Sequence, residues 1–412
     1  MEIMMSILSL ILKILVAILI FGLIIFVHEL GHFIMAKLMG VKVNEFAMGM
    51  GPKLLQFGKK ETKYTLRLFP IGGFCSMEGE DEAGAGAVAL PKKEEPAETA
   101  LSEPSLVLQE QETVKPKKES RAFCDKKVWR RVLIVIAGAT MNLILGFVLL
   151  VVYFGLCTMP NSQGERLYAT TTIAKLEEKA TSYQSGLRAG DEILKINGKT
   201  IFSDLDMTSI LQSSKSENGK AHFEMVVRRE TDGKKQKVTL PDVTFDVKTD
   251  EESGRTYLVY DFILLGVEQG FGNTFVQAAK SECSVALMVW RSLGDIITGN
   301  FNRNDLAGPV GTVDVIGDVV QDAVQQEHWQ VGLGNLLFMI SLITVNVGVF
   351  NLLPVPALDG GRLVFLIIEG VTRHKVPAKY EGLIHAIGLI LLLVLMVFVT
   401  FGDIGRLLRG GW

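Results

Sequence analysis

The residues best suited to chemistry are two histidines and a glutamate at a fixed spacing. The segment His28-Glu29-Leu30-Gly31-His32 contains the pattern His-Glu-x-x-His. Positions i and i+4 of a helix lie on one face, so both imidazoles can reach one zinc ion. Glu29, next to the first histidine, can approach a water on that metal. A hydrogen-bonded polar cluster that only holds helices together is the alternative interpretation.

A third ligand is expected, because a catalytic zinc site has three protein ligands and keeps the fourth position for water. The candidate is Asp359, which follows a long uncharged segment and precedes two glycines. Pro354 and Pro356 cannot continue a helix, so the segment should break just before Asp359. Irregular backbone at membrane depth is tolerated only where it is buried in protein or lines a cavity. The pattern therefore favours a His-His-Asp site over an ordinary Asp-Gly turn.

The elements that must position these residues are membrane helices. Hydrophobic residues make up 48% of the 412 residues, charged residues make up 21%, and the mean hydropathy is +0.31. Four apolar segments reach or approach the roughly 20 residues that cross a bilayer. With their flanks they span 1–36, 126–158, 331–362 and 380–405. A signal peptide is the weaker interpretation of the first, because it lacks a basic leading region and a cleavage site of small residues.

The composition excludes other classes of protein. A net charge of −3 lacks the basic surplus of a nucleic-acid-binding protein. Four cysteines without a Cys-x-x-Cys pair exclude a disulfide scaffold and a cysteine-type zinc ribbon. The expected surroundings are a lipid bilayer, and nucleic acid is not expected as a partner.

Basic residues near the ends of the apolar segments predict their orientation. One cluster precedes the second segment and another precedes the fourth, and the members are Lys126, Lys127, Arg130, Arg131, Arg373, Lys375 and Lys379. These clusters place 36–131 and 359–380 inside and 158–330 outside. Arg406 and Arg409 disagree with this orientation, because they would lie in the outer tail.

Two regions follow the first apolar segment. In 37–78, Tyr64, Leu66 and Leu68 alternate with other residues between glycine-rich turns, which is typical of strands. The stretch 79–125 is predicted to be a disordered inner loop. Most of it is rich in Glu, Lys, Pro and Ala and nearly lacks aromatic residues, so it cannot bury enough apolar surface to order itself.

A small soluble domain is expected over 165–247. Within it, 185–199 combines a Gly-Asp turn, a short strand and an Asn-Gly hairpin signal. This stretch resembles the signature of a PDZ domain, which binds an extended peptide at a sheet edge. A β-rich spacer without a ligand is the alternative. The next segment, 262–330, is amphipathic, and its 271–299 part is predicted to be a helix that lies either on the outer membrane surface or against the soluble domain.

Together these motifs resemble the site-2 protease family of intramembrane zinc metalloproteases. Their order is similar to that of its bacterial RseP/RasP-type members, although one PDZ domain is visible here where RseP has two. The resemblance implies a Zn²⁺ ion held by His28, His32 and Asp359. It also implies that Glu29 is the catalytic base.

The same resemblance suggests residues that contact substrate. Asn351 and Asn346 match family asparagines that hold the substrate backbone, and Asn142 falls in a Gly-x-x-x-Asn-like motif that would line the site. The strands with Tyr64, Leu66 and Leu68 match the family's membrane-associated β-hairpin. We expect an edge strand over 62–69 to receive an unwound substrate segment by strand addition.

The expected fold is an α-helical polytopic membrane protein with about four transmembrane helices, a membrane-associated β-hairpin region and one inserted, β-rich PDZ domain. The resemblance implies a bacterial inner-membrane protease that faces the cytoplasm. Its expected substrates are single-span membrane proteins such as anti-sigma factors, already trimmed by a site-1 protease, and remnant signal peptides. A catalytically silent PDZ-containing adaptor or chaperone is the alternative. A transporter is disfavoured, because no internal repeat is visible.

Overall fold

The structure is a computed structural model, and it describes residues 2–58, 61–80, 120–212, 218–231, 233–249, 256–299, 308–326 and 328–407. Most of the predicted disordered loop, 81–119, lies outside the described residues. The chain divides into two compact units. The first unit comprises Met1–Ile20, Asn142–Phe350 and Gly402–Trp412, and the second comprises Phe21–Met141 and Asn351–Phe401.

The described residues form long helices interrupted by two groups of strands. The helices are α1 (Glu2–Leu38), α2 (Val128–Val152), α3 (Thr181–Gln184), α4 (Asp204–Gln212), α5 (Phe271–Ile297), α6 (Pro309–Gln325), α7 (Trp329–Leu352), α8 (Asp359–Thr372) and α9 (Ala378–Leu407). The strands are β1 (Val43–Phe57), β2 (Lys63–Met77), β3 (Leu167–Leu176), β4 (Glu192–Ile196), β5 (Lys199–Thr200), β6 (Lys220–Thr231), β7 (Lys234–Thr249), β8 (Thr256–Leu258) and β9 (Phe262–Glu268).

Four of the described helices are long and apolar enough to cross a membrane. They cover Ile11–Leu38, Val128–Cys157, Trp329–Leu352 and Ala378–Arg406. The prediction of a polytopic membrane protein with about four transmembrane helices is therefore confirmed. The third span ends at Leu352, and Asp359 begins the separate helix α8. The sequence predicted the break at the two prolines but not the helix that follows it.

Strands β1 and β2 form a curled antiparallel sheet in the second unit. Each strand has 15 residues and bends midway. In β1 the bend includes Gly49 and Gly51, whose φ angles of 86° and 88° are strained for residues with a side chain. The bends let each strand pair twice, so the order across the sheet is 53–57, 63–67, 43–48 and 73–77.

This pairing corrects one expectation about the edge of the sheet. Tyr64, Thr65 and Leu66 have β1 partners on both sides, so the prediction that 62–69 is an edge strand is wrong. The edges are 53–57 and 73–77, and no strand among the described residues pairs with their outer sides. Alternation along a sequence reports which face of a strand is buried, and it does not report what lies beside the strand.

The inner half of this sheet packs on helix α1. The Phe46 ring lies 5.8 Å from that of Phe26 and 5.2 Å from that of Phe33. Burial of a side chain of this size is worth about 1.5–3 kcal/mol, so the contact holds the sheet firmly against the helix. The other half of the sheet exposes apolar side chains, among them Leu54, Leu55, Phe57, Leu68 and Phe69. A surface of this kind suits contact with lipid.

The first unit contains a sheet of seven strands with the order β8-β7-β6-β4-β3-β9, and β5 pairs with β4. The predicted hairpin turn is present, because Asn197 and Gly198 have φ angles of 48° and 74°. Strand β9 pairs with β3, so the sheet extends to Glu268. The sequence predicts that this domain ends at 247 and that an amphipathic segment begins at 262. Both boundaries are corrected, because β9 belongs to the sheet of the domain.

Helix α5 packs against this β-rich domain through the buried carboxylate of Asp206. Its Oδ2 accepts a hydrogen bond from Ser284 at 2.6 Å, and its Oδ1 lies 2.6 Å from Nη1 of Arg291. Both partners lie on α5, whereas Asp206 lies on α4. Of the two interpretations left open for 271–299, the structure therefore supports a helix packed on the soluble domain.

Candidate metal centre

Helix α1 brings two imidazoles together one turn apart. His28 and His32 lie on one face, their rings meet edge to face at 4.8 Å, and their Nε2 atoms are 3.2 Å apart. Each residue is only 9% exposed. Two buried imidazole nitrogens directed at one point are suited to a shared metal ion.

Asp359 completes the cluster from the start of α8. Its Oδ2 lies 3.1 Å from the Nε2 atoms of both His28 and His32. Ligand atoms around a tetrahedral zinc ion with bonds of about 2.0–2.1 Å are about 3.3 Å apart. The donor set and the spacing therefore fit zinc. The first turn of a helix also favours an anionic side chain, which suits a carboxylate ligand at this position.

The tautomer of one histidine is fixed by helix α2. Nδ1 of His32 lies 2.8 Å from the carbonyl oxygen of Ile134 and donates its hydrogen to it. Nε2 then carries the lone pair that a metal needs. Such a partner on the second nitrogen is the usual way in which proteins orient a metal-binding imidazole.

Glycines allow α1 and α2 to approach closely at this level. A methyl group at Gly31 would lie 2.4 Å from the carbonyl oxygen of Ala137. A methyl group at Gly138 would lie 2.3 Å from Nε2 of His32 and 2.8 Å from Cε1 of His28. Gly138 therefore forms one wall of the centre. The sequence contains it in the Gly-x-x-x-Asn motif, but its closeness to the histidines could not be read there.

The chain folds back on itself between α7 and α8. Ala357 has a φ angle of 77°, which is uncommon for a residue with a side chain. A methyl group at Gly360 would lie 1.9 Å from the carbonyl oxygen of Leu353, and one at Gly361 would lie 2.5 Å from that of Val355. These two glycines let the loop pack on the first turn of α8, and the packing fixes Asp359.

The side chain of Glu29 on α1 lies next to the curled sheet. A methyl group at Gly73 of β2 would lie 3.2 Å from its Cγ. Gly73 belongs to 73–77, which is an edge of the sheet. The glutamate of the motif is therefore next to an edge strand, and this strand is not the one that the sequence predicted.

An ion pair connects α8 to the end of β2. Nη1 of Arg362 lies 2.6 Å from Oε1 of Glu80, and Oε2 of Glu80 accepts a hydrogen bond from the Met77 amide at 3.1 Å. Glu80 is 6% exposed. Arg362 is one helical turn after Asp359, so the pair holds α8 at the sheet. Sequence reasoning found neither residue, because they are separated by 282 positions.

Comparison with known families shows to which family the chain belongs. The model of peptidase family M50 matches residues 16–395, nearly the whole chain. The chain belongs to peptidase family M50. It is an intramembrane zinc metalloprotease of the site-2 protease family, Zn²⁺ is its cofactor, and the predicted family resemblance is confirmed.

Proteins similar to this chain are found in several bacteria. The zinc metalloprotease RasP of Bacillus licheniformis is 31% identical over 95% of this chain and 98% of its own. The regulator of sigma-W protease RasP of Bacillus subtilis is 30% identical over 95% of this chain and 97% of its own. RasP of Shouchella clausii is 32% identical over 94% and 97%, respectively.

The remaining predicted site residues of this M50 peptidase lie in different parts of the fold. Asn351 is half-buried at the end of α7, Asn346 is half-buried in α7, and Asn142 is fully buried in α2. Their roles stay predictions. Tyr64, Leu66 and Leu68 are exposed on β2, 43%, 38% and 48% respectively. Tyr64 and Leu66 lie in the interior strand 63–67 of the curled sheet, and Leu68 follows it. Contact of these side chains with substrate also stays a prediction.

Proposed function

We propose that this M50 peptidase cleaves transmembrane segments with His28, His32 and Asp359 as zinc ligands and Glu29 as general base. The observation that carries the assignment is the meeting of three ligand atoms at 3.1–3.2 Å. Asp359 is 327 positions from His32, and its carboxylate meets an imidazole pair in which the His32 ring is oriented by the carbonyl oxygen of Ile134. A polar cluster that only joined helices would not need this spacing.

Residues of this chain would bind the metal and transfer the protons of the reaction. His28, His32 and Asp359 would hold a zinc ion, which would supply polarisation of the scissile carbonyl and would lower the pKa of the attacking water toward about 7. Glu29 takes the proton from the water and later gives it to the leaving amine. Asp359 and the two imidazoles fix the position of the reacting groups. Gly138, which has no side chain, leaves space next to the imidazoles on the side of α2.

The substrate must be extended before it can be cut. The carbonyl groups of a transmembrane helix are bonded within the helix, so a helical substrate has no free backbone to present. The edge 73–77 is the part of the curled sheet that passes Glu29. We infer that an unwound substrate segment adds to this edge as a strand, with Asn351 as a further contact to its backbone.

The substrates that we propose are single-span membrane proteins. The relative from Bacillus subtilis is named a regulator of sigma-W protease, and anti-sigma factors are the corresponding substrate class for this chain. Remnant signal peptides are a second class of the same topology. We place the active centre toward the cytoplasm and the β-rich domain outside, in line with the basic residues that flank α2 and α9.

The β-rich domain is proposed to be a PDZ-like size filter. Its sheet and the Asn197-Gly198 hairpin agree with the PDZ-like signature in the sequence. Substrates with large ectodomains would wait until a site-1 protease trims them. Deletion of 165–268, which removes the whole sheet, should then permit cleavage of an untrimmed substrate. If deletion only lowers the activity toward trimmed and untrimmed substrates alike, the domain does not act as a filter.

The test of the catalytic assignment compares the protein with Glu29→Gln and Asp359→Asn variants, each purified in detergent. Bound zinc and cleavage of a single-span substrate are measured in all three. We expect zinc in the unmodified protein and in Glu29→Gln, with cleavage only in the unmodified protein. Asp359→Asn should lose both zinc and cleavage. If Asp359→Asn binds as much zinc as the unmodified protein does, Asp359 is not a ligand. If the unmodified protein binds zinc but does not cleave the substrate, the catalytically silent adaptor is favoured.

A further inference from the structure

Helix α9 carries one ionisable side chain inside an otherwise apolar stretch. Between Glu381 and Asp403, the only such residue is His385. The surrounding span is long and hydrophobic, and most of its other side chains are exposed, as expected of a helix that faces lipid. An ionisable residue in a membrane span is costly and is retained where it has a partner or a task.

The partner of His385 is the backbone of the loop before Asp359. The amide nitrogen of Ala357 donates a hydrogen bond to Nδ1 of His385 at 2.9 Å. An amide is always a donor, so Nδ1 must be the acceptor and the hydrogen of the neutral ring is on Nε2. The geometry alone therefore fixes the tautomer. The Phe365 ring of α8, 5.6 Å away, packs against the imidazole and limits its rotation.

Ala357 needs this acceptor. It lies in the loop between the end of α7 at Leu352 and the start of α8 at Asp359, so its N–H is not bonded to a helical carbonyl. Its φ angle of 77° is also not helical. Backbone polar groups at membrane depth must be satisfied by protein. Ala357 lies two positions before Asp359, and a change in its backbone angles would redirect the first turn of α8.

A second contact of α9 reaches the same loop. A methyl group at Gly388 would lie 2.3 Å from Cβ of Pro356, so helix and loop touch there. Positions 385 and 388 are three apart and lie on one face of α9. This face therefore holds two consecutive residues of the loop, Pro356 by packing and Ala357 by a hydrogen bond.

We propose that His385 is a positioning residue for the metal centre. It accepts the Ala357 hydrogen bond, fixes the loop from 353 to 358, and through the loop sets the place of the Asp359 carboxylate. This inference rests on the proposed role of Asp359 as a ligand. It assigns to α9 a part in forming the centre, although α9 provides no ligand.

Two variants of nearly equal shape test the hydrogen bond. In His385→Asn, the amide oxygen takes the place of Nδ1 and can accept from Ala357. In His385→Leu, a methyl group takes that place and cannot accept, while leucine is well suited to a membrane helix. Each variant is purified as the full chain, and bound zinc is followed against increasing chelator together with kcat and KM for a single-span substrate.

We expect His385→Leu to lose zinc at about tenfold lower chelator concentration, which is the usual scale for partners that orient metal ligands. Its kcat should fall and its KM should change little, because the substrate contacts are left in place. His385→Asn should stay close to the unmodified protein in both zinc retention and kcat. Added Zn²⁺ should restore cleavage to His385→Leu, which a misfolded protein would not allow.

The contrary results are distinct. If His385→Leu keeps zinc and kcat like the unmodified protein, His385 does not position the ligand. The inference also falls if His385→Asn and His385→Leu are equally impaired, or if added Zn²⁺ does not restore cleavage to His385→Leu. If Asp359→Asn retains zinc as well as the unmodified protein does, the proposed ligand set fails instead, whatever the His385 variants do.

Discussion

Gly138 and His32 are so close that a methyl group on the glycine would lie 2.3 Å from the imidazole Nε2. Nε2 is the atom that is directed at the proposed zinc ion, and it cannot move away without losing the Ile134 contact on the other side of the ring. The absence of a side chain at 138 is therefore a condition for the centre to form.

The first prediction is that Gly138→Ala loses zinc and proteolysis while the helices remain assembled. The added methyl group must displace an imidazole that Ile134 and the neighbouring ring hold in place. Zinc content, cleavage and thermal unfolding of the purified protein would be measured. Gly155→Ala is the matched control, since the nearest atom to a methyl group there is 4.0 Å away. Normal zinc binding by Gly138→Ala would show that the metal centre tolerates a side chain at position 138.

A second prediction concerns the ion pair of Glu80 and Arg362. Removal of one partner from a buried pair leaves an uncompensated charge and costs about 3–5 kcal/mol of the free energy of unfolding. Glu80→Gln and Arg362→Met should each lower the thermal unfolding temperature. The double variant should be less destabilised than the sum, with a coupling of about 2 kcal/mol. Additive effects would show that the two side chains do not depend on each other.

A third prediction tests strand addition at 73–77. Successive residues of a strand direct their N–H groups to opposite sides, so of Phe74 and Cys75 one faces β1 and the other faces the open edge. We expect one of Phe74→Pro and Cys75→Pro to keep zinc and thermal stability but to lose cleavage. The other should be destabilised, because it loses a bond within the sheet. Full cleavage by both variants would exclude this edge as the place of substrate binding.

A fourth prediction is a dependence of stability on pH at the sheet turn. The guanidinium of Arg121, with further help from Lys37, lowers the pKa of Glu61 from 4.5 to about 2. Because the folded-state pKa is depressed, the carboxylate stabilises the fold above about pH 4.5. This stabilisation is lost as the pH falls from about 4.5 toward 2.

Glu61→Gln should therefore lower the unfolding temperature at pH 7 and have little effect near pH 2. The effect should be small, since the Glu61 side chain is 35% exposed and water screens the pair. Unfolding temperatures of the two proteins at a series of pH values give the measurement. A constant difference between the two proteins across this range would show that the ion pairs do not contribute.

The sequence predicts those parts of the centre that lie on one periodic element. His28, Glu29 and His32 follow from helical spacing alone, and the proline break before Asp359 follows from the chemistry of proline. The helical spans follow from hydropathy in the same way. Each of these properties depends on residues that are close together in the chain.

The features that the sequence did not predict depend on contacts between residues that are far apart in the chain. The interior position of Tyr64 results from bends at glycines that let β1 pair twice, and β9 joins a sheet whose partner strand begins 95 positions earlier, at Leu167. The contact of Gly138 with the histidines and the ion pair of Arg362 with Glu80 form only when the helices pack together. Contacts across hundreds of positions leave no periodic signal in a single sequence.

The two parts of the proposed ligand set are also separated in time. A ribosome adds about 5–20 residues per second, so Asp359 follows His32 by roughly 16–65 s. Until α8 has been made and inserted, the nascent chain has a pair of histidines but no third ligand. With Asp359 as the proposed third ligand, we expect that neither the newborn protein nor a chain that terminates before α8 can cut membrane segments, its own included.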